Sequence, residues 1–432
     1  MRSFFETSKK KVKQRAIIVG VSKKGDRGET DEAILDELAS LCGTAGALVV
    51  GRMTQLLDRF NSATMIGSGK VDELAAHIGE SKANLVVFDT ILSPSQQANL
   101  EKRLGTQVID RPALILDIFA IHAKTREART QVELAQMQYI LPRLAGGWTH
   151  LERQEGAIGT RGPGETQLET DRRLVRKRIK DLKKKLENIE GERHVQRKGR
   201  GEFFNLCLVG YTNAGKSTLF NRLTGEDVVA EDYLFATLDS TTRKVRLPRR
   251  NTVLISDTVG FIRNLPVPLV ASFKSTLLEA SEADLLIHVI DISDRDYEER
   301  IGTVTQVLDD IGCRGIPVMP VFNKIDKQND PDLYMGLLKQ YPGARFVSAS
   351  SGEGLGKLKE DIENYMEQSR VTILATMNPH DSRGYGLLQS IAHVSETISI
   401  DGVIQFKARL PKSRLGKLKS QGIEFEVLEN HL

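Results

Sequence analysis

The chain is 432 residues long, 40% apolar and 27% charged, with a net charge of +4; at this length about three globular domains are expected. That apolar content excludes disorder throughout, and no apolar run approaches the roughly 18 residues that span a bilayer. The N-terminus, MRSFFETSKKKVKQR, lacks the apolar core of a secretory signal, and Cys42, Cys207 and Cys313 are widely spaced without CxxC pairs, so a reducing, cytoplasmic setting is expected.

In chain order, residues 16–21, 47–51 and 85–89 are short apolar, largely β-branched runs that read as buried parallel strands. Residues 31–41 and 95–104 read as helices, the second opened by Ser93-Pro94, an N-cap followed by a first-turn proline. This alternation predicts a small α/β domain over residues 1–124. Gly67-Ser68-Gly69-Lys70 lacks the glycine five positions upstream that a phosphate loop needs, so it takes no nucleotide role.

Residues 125–144 read as a helix with Val132, Ala135 and Tyr139 on one face, kinked or ended by Pro142. Residues 146–164 hold six glycines and Pro163, which leaves no regular element there. Beyond them Leu168, Val175, Ile179, Leu182, Leu186 and Ile189 form an a/d seam of about three heptads. The other faces are basic: residues 171–200 carry 13 Lys/Arg against five Asp/Glu, a local excess of +8. The apolar stripe needs a partner, and the preceding helix is the nearest. Residues 125–200 are therefore expected to form an antiparallel helical hairpin with a glycine-rich loop at its tip. Its basic outer face suits a polyanion such as RNA, and Trp148, His150, Arg153, Arg161, Arg172, Arg173, Arg176 and Lys177 are the candidate contacts. A solvated coiled-coil face is the plainer reading of the same helix.

Residues 199–201 read as a linker. Strands follow at residues 205–209, 252–256, 284–290, 318–322 and 345–347, in strand–helix alternation. The tail, residues 369–432, shows strands near 371–375, 395–400, 403–408 and 424–428, with helices near 383–392 and 412–419. The order β-α-β-β-α-β predicts a small ferredoxin-like α+β unit.

The chemistry concentrates in residues 201–368. Gly210-Tyr211-Thr212-Asn213-Ala214-Gly215-Lys216-Ser217 fits G-x-x-x-x-G-K-[ST] between a strand and a helix. Its glycines let backbone N–H groups wrap phosphates, Lys216 reaches the β- and γ-phosphates, and the Ser217 hydroxyl ligates Mg²⁺. Asp257-Thr258-Val259-Gly260 follows 41 residues after Lys216, placing a carboxylate for Mg²⁺ and the Gly260 N–H for the γ-phosphate. Asn323-Lys324-Ile325-Asp326 comes 66 residues later. The Asp326 carboxylate can accept both N1–H and N2–H of guanine, a donor pair that adenine lacks. Ser348-Ala349-Ser350 ends another strand, where a backbone N–H can meet guanine O6. Each tetrapeptide alone is weak; in this order, at successive strand ends, they point to a GTP site.

Residues 203–368 thus resemble the P-loop GTPases. In that superfamily a switch threonine precedes the DxxG motif, and Phe235-Ala236-Thr237-Leu238-Asp239 matches the F-x-T-L form of the translation-factor-like branch. The resemblance implies Thr237 as a second Mg²⁺ ligand, with Thr241 and Thr242 as rivals, and Lys216, Thr237 and Gly260 as the catalytic set. Where Ras-like members carry a water-orienting glutamine, this chain has Phe261, which implies slow intrinsic hydrolysis and dependence on a partner or potassium.

The tract from Gly159 through Thr160-Arg161-Gly162-Pro163-Gly164-Glu165 to Arg173, directly before such a domain, resembles the HflX family across nearly the whole chain. Family members usually read G-G-I-G-T-R-G-P-G-E, whereas here Glu155-Gly156-Ala157-Ile158 precedes Gly159. The resemblance implies a monomeric, ribosome-associated GTPase that binds large-subunit rRNA and splits or rescues stalled or stress-arrested ribosomes. A GTP-dependent RNA-modification enzyme and a protein-binding switch are the alternatives. No methyl-donor motif or metal cluster supports the first, and salt titration separates the second from RNA binding.

Overall fold

The computed structural model describes residues 14–24, 31–145, 167–197, 203–225, 234–235, 240–249, 251–263, 279–328, 330–379, 381–400 and 403–428. The glycine-rich tract with Trp148, His150, Arg153 and Arg161 lies outside them, as do Ala236, Thr237, Leu238 and Asp239. The chain forms two compact units, one of residues 1–187, 232–238 and 264–273, the other of residues 188–231, 239–263 and 274–432. No described helix is long and apolar enough to cross a membrane.

The first unit holds a four-stranded parallel sheet of β1 (Arg15–Lys23), β2 (Leu48–Leu57), β3 (Leu85–Phe88) and β4 (Gln107–Asp110), in the order β2-β1-β3-β4. Its central strands are apolar on both faces because helices cover both, and Ile17, Ile18, Val86, Val87 and Phe88 are fully buried. The Ser93 signal produces a complete capping box: Ser93 Oγ accepts the Gln96 N–H at 3.2 Å and Gln96 Oε1 accepts the Ser93 N–H at 2.9 Å. Thr125 caps the helix Arg126–Ile140, which stops two residues before Pro142.

The long helix Gln167–Arg197 follows the expected seam. Leu182 is buried and Val175, Ile179 and Leu186 are half-buried, while Arg173, Arg176, Lys177 and Lys180 are exposed. Arg178 reaches Glu133 of the preceding helix at 2.6 Å.

Sequence periodicity overlooked β4 and the helix Arg111–His122, RPALILDIFAIH, whose first nine residues are all buried. A helix apolar on every side gives no amphipathic signal. Its Arg111 is 1% exposed and is held by Asp89 at 2.6 Å and by Glu37. Nearby Asp110 accepts from Tyr139 Oη at 2.7 Å and Arg143 at 3.0 Å. These buried charges persist because each is paired.

The second unit contains a six-stranded sheet of β5 (Phe204–Val209), β6 (Thr241–Arg246), β7 (Thr252–Asp257), β8 (Leu285–Asp291), β9 (Val318–Asn323) and β10 (Arg345–Phe346). The order is β10-β9-β8-β5-β7-β6, parallel except for β6 against β7. Edge strand β6, TTRKVR, buries only Val245, so its polar run gave no strand signal. The core gathers Leu206, Leu208, Phe220, Ile255, Ile287 and Val321.

The same unit carries the C-terminal sheet of β11 (Arg370–Met377), β12 (His393–Ile400), β13 (Val403–Pro411) and β14 (Glu424–Leu428). Its antiparallel order, β12-β13-β11-β14, is that of the expected ferredoxin-like unit. Arg414 docks it: Nε and Nη2 donate to Asp284 at 3.0 and 2.5 Å, and Nη2 also donates to the Phe203 carbonyl at 2.9 Å. Asp284 in turn accepts the Asn205 N–H at 2.9 Å, at the start of β5.

Candidate functional site

At the far end of β5 the chain turns through Gly210 into the helix Lys216–Thr224. Gly210 has φ +151° and a Cβ there would strike the Val289 carbonyl; Gly215 has φ +92° and a Cβ would strike the Asn323 side-chain amide. Only glycine tolerates both the backbone and the approach. Between them the backbone curls over the helix N-terminus, with Asn213 at φ +60°. This is the geometry in which consecutive N–H groups and the helix dipole meet an anion.

Lys216 Nζ donates to the carbonyls of Gly210 at 3.1 Å and Tyr211 at 2.7 Å. The residue is 6% exposed. Burial lowers its pKa to about 8; Asp257 opposes the shift and Lys324 adds to it. Ser217 Oγ donates to Asp257 Oδ2 at 2.8 Å, at the end of β7. A hydroxyl beside a carboxylate at the phosphate loop is a hard-oxygen pair that fits Mg²⁺. Among the described residues there is no group of three or more His, Cys, Asp or Glu that could hold a metal ion.

The DxxG segment lies on the phosphate loop. Thr258 Oγ1 donates to the Leu208 carbonyl at 2.7 Å, and Val259 is buried. A Cβ on Gly260 would fall 2.9 Å from Thr212 Cα and 3.1 Å from Lys216 Nζ. Phe261 is 1% exposed; its N–H donates to the Gly210 carbonyl at 3.1 Å and its carbonyl accepts the Thr212 N–H at 2.7 Å.

On the other side of β5, Asn323 ties three loops together. Its Nδ2 donates to the Ala214 carbonyl at 2.9 Å, and its Oδ1 accepts the Ala349 N–H at 2.9 Å. Lys324, at φ +66°, donates to the Asn213 carbonyl at 2.8 Å and pairs with Asp291 at 2.7 Å. Ile325 joins the Val347 carbonyl through its N–H at 3.4 Å. The Ser348 hydroxyl donates to Asp326 Oδ1 at 2.5 Å and holds that carboxyl below its ordinary pKa, ionised as an acceptor. Ser350 continues the network, 2.9 Å from Ser348.

Two contributors escaped sequence reasoning. Arg222, on the helix that leaves the phosphate loop, donates to the carbonyls of Ala349 at 3.2 Å and Ser350 at 2.6 Å. No spacing rule connects residues 127 and 128 positions apart. Asp291, which holds Lys324, is readable only as a carboxylate at a strand end. His288 is a buried core histidine: burial, then Lys216, pushes its pKa down to about 4. Of the segment 235–239 expected at the nucleotide, only Phe235 is described. It belongs to the first unit, where its ring meets Phe119 edge-on at 4.6 Å. Arg172 is half-buried on its helix, and Arg173, Arg176 and Lys177 are exposed.

Three family descriptions match in succession: "GTP-binding GTPase N-terminal" over residues 32–120, "GTP-binding GTPase Middle Region" over 122–200 and "50S ribosome-binding GTPase" over 205–324. The chain is 52% identical over 313 residues to the GTPase HflX of Flavobacterium psychrophilum, covering 72% of this chain and 76% of that one. It is 42% identical over 418 residues to the GTPase HflX of Magnetococcus marinus, 96% of each chain. It is 41% identical over 404 residues to that of Escherichia coli, 92% of this chain and 94% of the other. Likeness of this extent, running through the N-terminal, middle and nucleotide-binding parts alike, makes the chain a member of the HflX family of GTPases, whose reaction is the hydrolysis of GTP.

Proposed function

We propose that this GTPase docks on the large ribosomal subunit in its GTP-bound form and splits or rescues stalled or stress-arrested ribosomes in the cytoplasm. The observation that carries the reading is the helix Gln167–Arg197: one apolar seam turned inward and an exposed face of Arg173, Arg176, Lys177 and Lys180 turned to solvent. Clustered basic side chains on one rigid element match the phosphate lattice of folded rRNA. The description "50S ribosome-binding GTPase" over residues 205–324 points to the same partner. In this reading residues 1–124 are an α/β domain, 125–200 the RNA-binding hairpin, 201–368 the GTPase and 369–432 an accessory unit. The protein acts as a monomer.

In the nucleotide cycle, backbone N–H groups of residues 210–217 wrap the phosphates and Lys216 neutralises the β- and γ-phosphates. Asp326 and the loop of Ser348, Ala349 and Ser350 select guanine. Ser217 and Thr237 would hold Mg²⁺, which when bound would supply charge neutralisation at the phosphates. Gly260 senses the third phosphate. Phe261 has no polar atom on its side chain with which to orient water, so hydrolysis waits for the ribosome to complete the site. Steady-state GTP turnover with and without purified large subunits tests this. Stimulation of at least tenfold, lost when Arg173, Arg176 and Lys177 are changed together to Glu, supports it; equal turnover under both conditions refutes it.

A further inference from the structure

We propose that Tyr211 is a positioning residue for GTP turnover, one that sets the balance between diphosphate and triphosphate by pinning the strap of residues 257–263 over Lys216. The phosphate-loop motif constrains only the backbone at this position, yet the Tyr211 side chain is 5% exposed. Its hydroxyl accepts the Arg263 N–H at 3.0 Å. Its ring lies 4.8 Å from the guanidinium of Arg300, on the helix Tyr297–Asp310, and Arg300 is itself ion-paired with Asp294. The ring is thus held from one side by an anchored cation and holds the strap from the other.

Together with the two backbone bonds between Phe261 and the loop, this makes three hydrogen bonds joining residues 261–263 to residues 210–212. They draw Gly260 against Thr212 and Lys216 and occupy the Thr212 N–H.

The sheet order says which part of a nucleotide meets this latch. The guanine-reading loops follow β9 and β10 on one side of β5, and the strap follows β7 on the other. A nucleotide laid across the phosphate loop therefore ends with its last phosphate on the strap side. A diphosphate stops short, whereas a γ-phosphate must reach both Lys216 Nζ and the Gly260 N–H, and the latch packs Gly260 so closely that a Cβ there would lie 3.1 Å from that Nζ. Opening the latch therefore costs the triphosphate alone, and one neutral hydrogen bond corresponds to roughly a two- to tenfold change in affinity.

Tyr211→Phe keeps the ring and its stack on Arg300 and removes the hydroxyl that accepts the Arg263 N–H. On the full-length protein without ribosomes, the dissociation constants of GDP and of a non-hydrolysable GTP analogue are measured by titration with fluorescent nucleotides. The expected result is tighter binding of the analogue by roughly two- to tenfold, with GDP unchanged within twofold. Hydrogen exchange at the amides of residues 261–263 is expected to accelerate. Arg300→Met, which frees the ring, shifts the ratio in the same direction. Equal loss of both nucleotides would make Tyr211 a structural prop, and an unchanged ratio or a shift towards GDP would equally overturn the proposal. It needs only the nucleotide cycle, so a failure of ribosome docking leaves it standing.

Discussion

Replacing Arg222 by methionine leaves the phosphate loop and Asp326 untouched but removes the donors that hold the carbonyls of Ala349 and Ser350 at 3.2 and 2.6 Å. The side chain is exposed, so each bond contributes about 0.5–1 kcal/mol rather than the larger value of a buried charged pair. Losing both costs about 1–2 kcal/mol of ordering in the guanine-facing loop, or roughly 5–30-fold in nucleotide affinity. Inosine nucleotides separate this effect from base recognition by Asp326, because inosine keeps O6 and N1–H and lacks only the 2-amino group. Arg222→Met is expected to weaken GDP and IDP by the same factor, leaving their ratio as in the wild type. Asp326→Ala is expected to bring that ratio towards one. Titration of both variants with both nucleotides is the assay. GDP affinity within twofold of wild type in Arg222→Met, or a changed GDP:IDP ratio in that variant, would refute the reasoning that Arg222 acts only by holding the loop.

Lys216 makes nucleotide binding pH-dependent: the free protein loses its proton near pH 8, while bound phosphate keeps the ammonium charged. Binding above that pH takes up a proton, so GDP affinity is expected to fall by up to about tenfold per pH unit above 8 and to be flat well below it; calorimetry showing affinity rising with pH would contradict this. His288 titrates near pH 4 in the fold against 6.5 when unfolded, so the unfolded chain binds more protons between these values and stability rises with pH across that window. The contribution, about 3 kcal/mol, is complete above pH 6.5 and lost as pH falls towards 4; urea unfolding of His288→Gln should show a shallower acid slope than wild type, and identical slopes would dismiss the histidine. Arg414→Met removes the guanidinium that pairs with the buried Asp284 carboxylate and should destabilise the second unit by about 3–5 kcal/mol, partly recovered by adding Asp284→Leu. Thermal unfolding within 1 kcal/mol of wild type would show the pair to be dispensable.

What was legible in the sequence is what the chain encodes locally. Gly210, Gly215, Lys216 and Ser217 sit within eight residues because one strand–turn–helix unit builds the phosphate cradle. The segments proposed to read guanine, Asn323 to Asp326 and Ser348 to Ser350, stand out because they end apolar strands. The C-terminal topology was readable because its strands and two helices alternate cleanly. What was not legible is long-range pairing. Arg111, Asp89 and Glu37 form one buried charged cluster from three distant segments, inside a helix too uniformly apolar to announce itself. Arg222 speaks only to backbone carbonyls, which no side-chain pattern records. The Tyr211 hydroxyl likewise meets a main-chain N–H at Arg263.

Sucrose-gradient sedimentation of the full-length protein with large ribosomal subunits, loaded with either a non-hydrolysable GTP analogue or GDP, tests the ribosome reading most directly. Co-migration with the large subunit in the analogue-loaded form, weakened by raised salt and absent with GDP, is the predicted result. Equal co-migration with both nucleotides, or with neither, would contradict a docking step governed by the third phosphate.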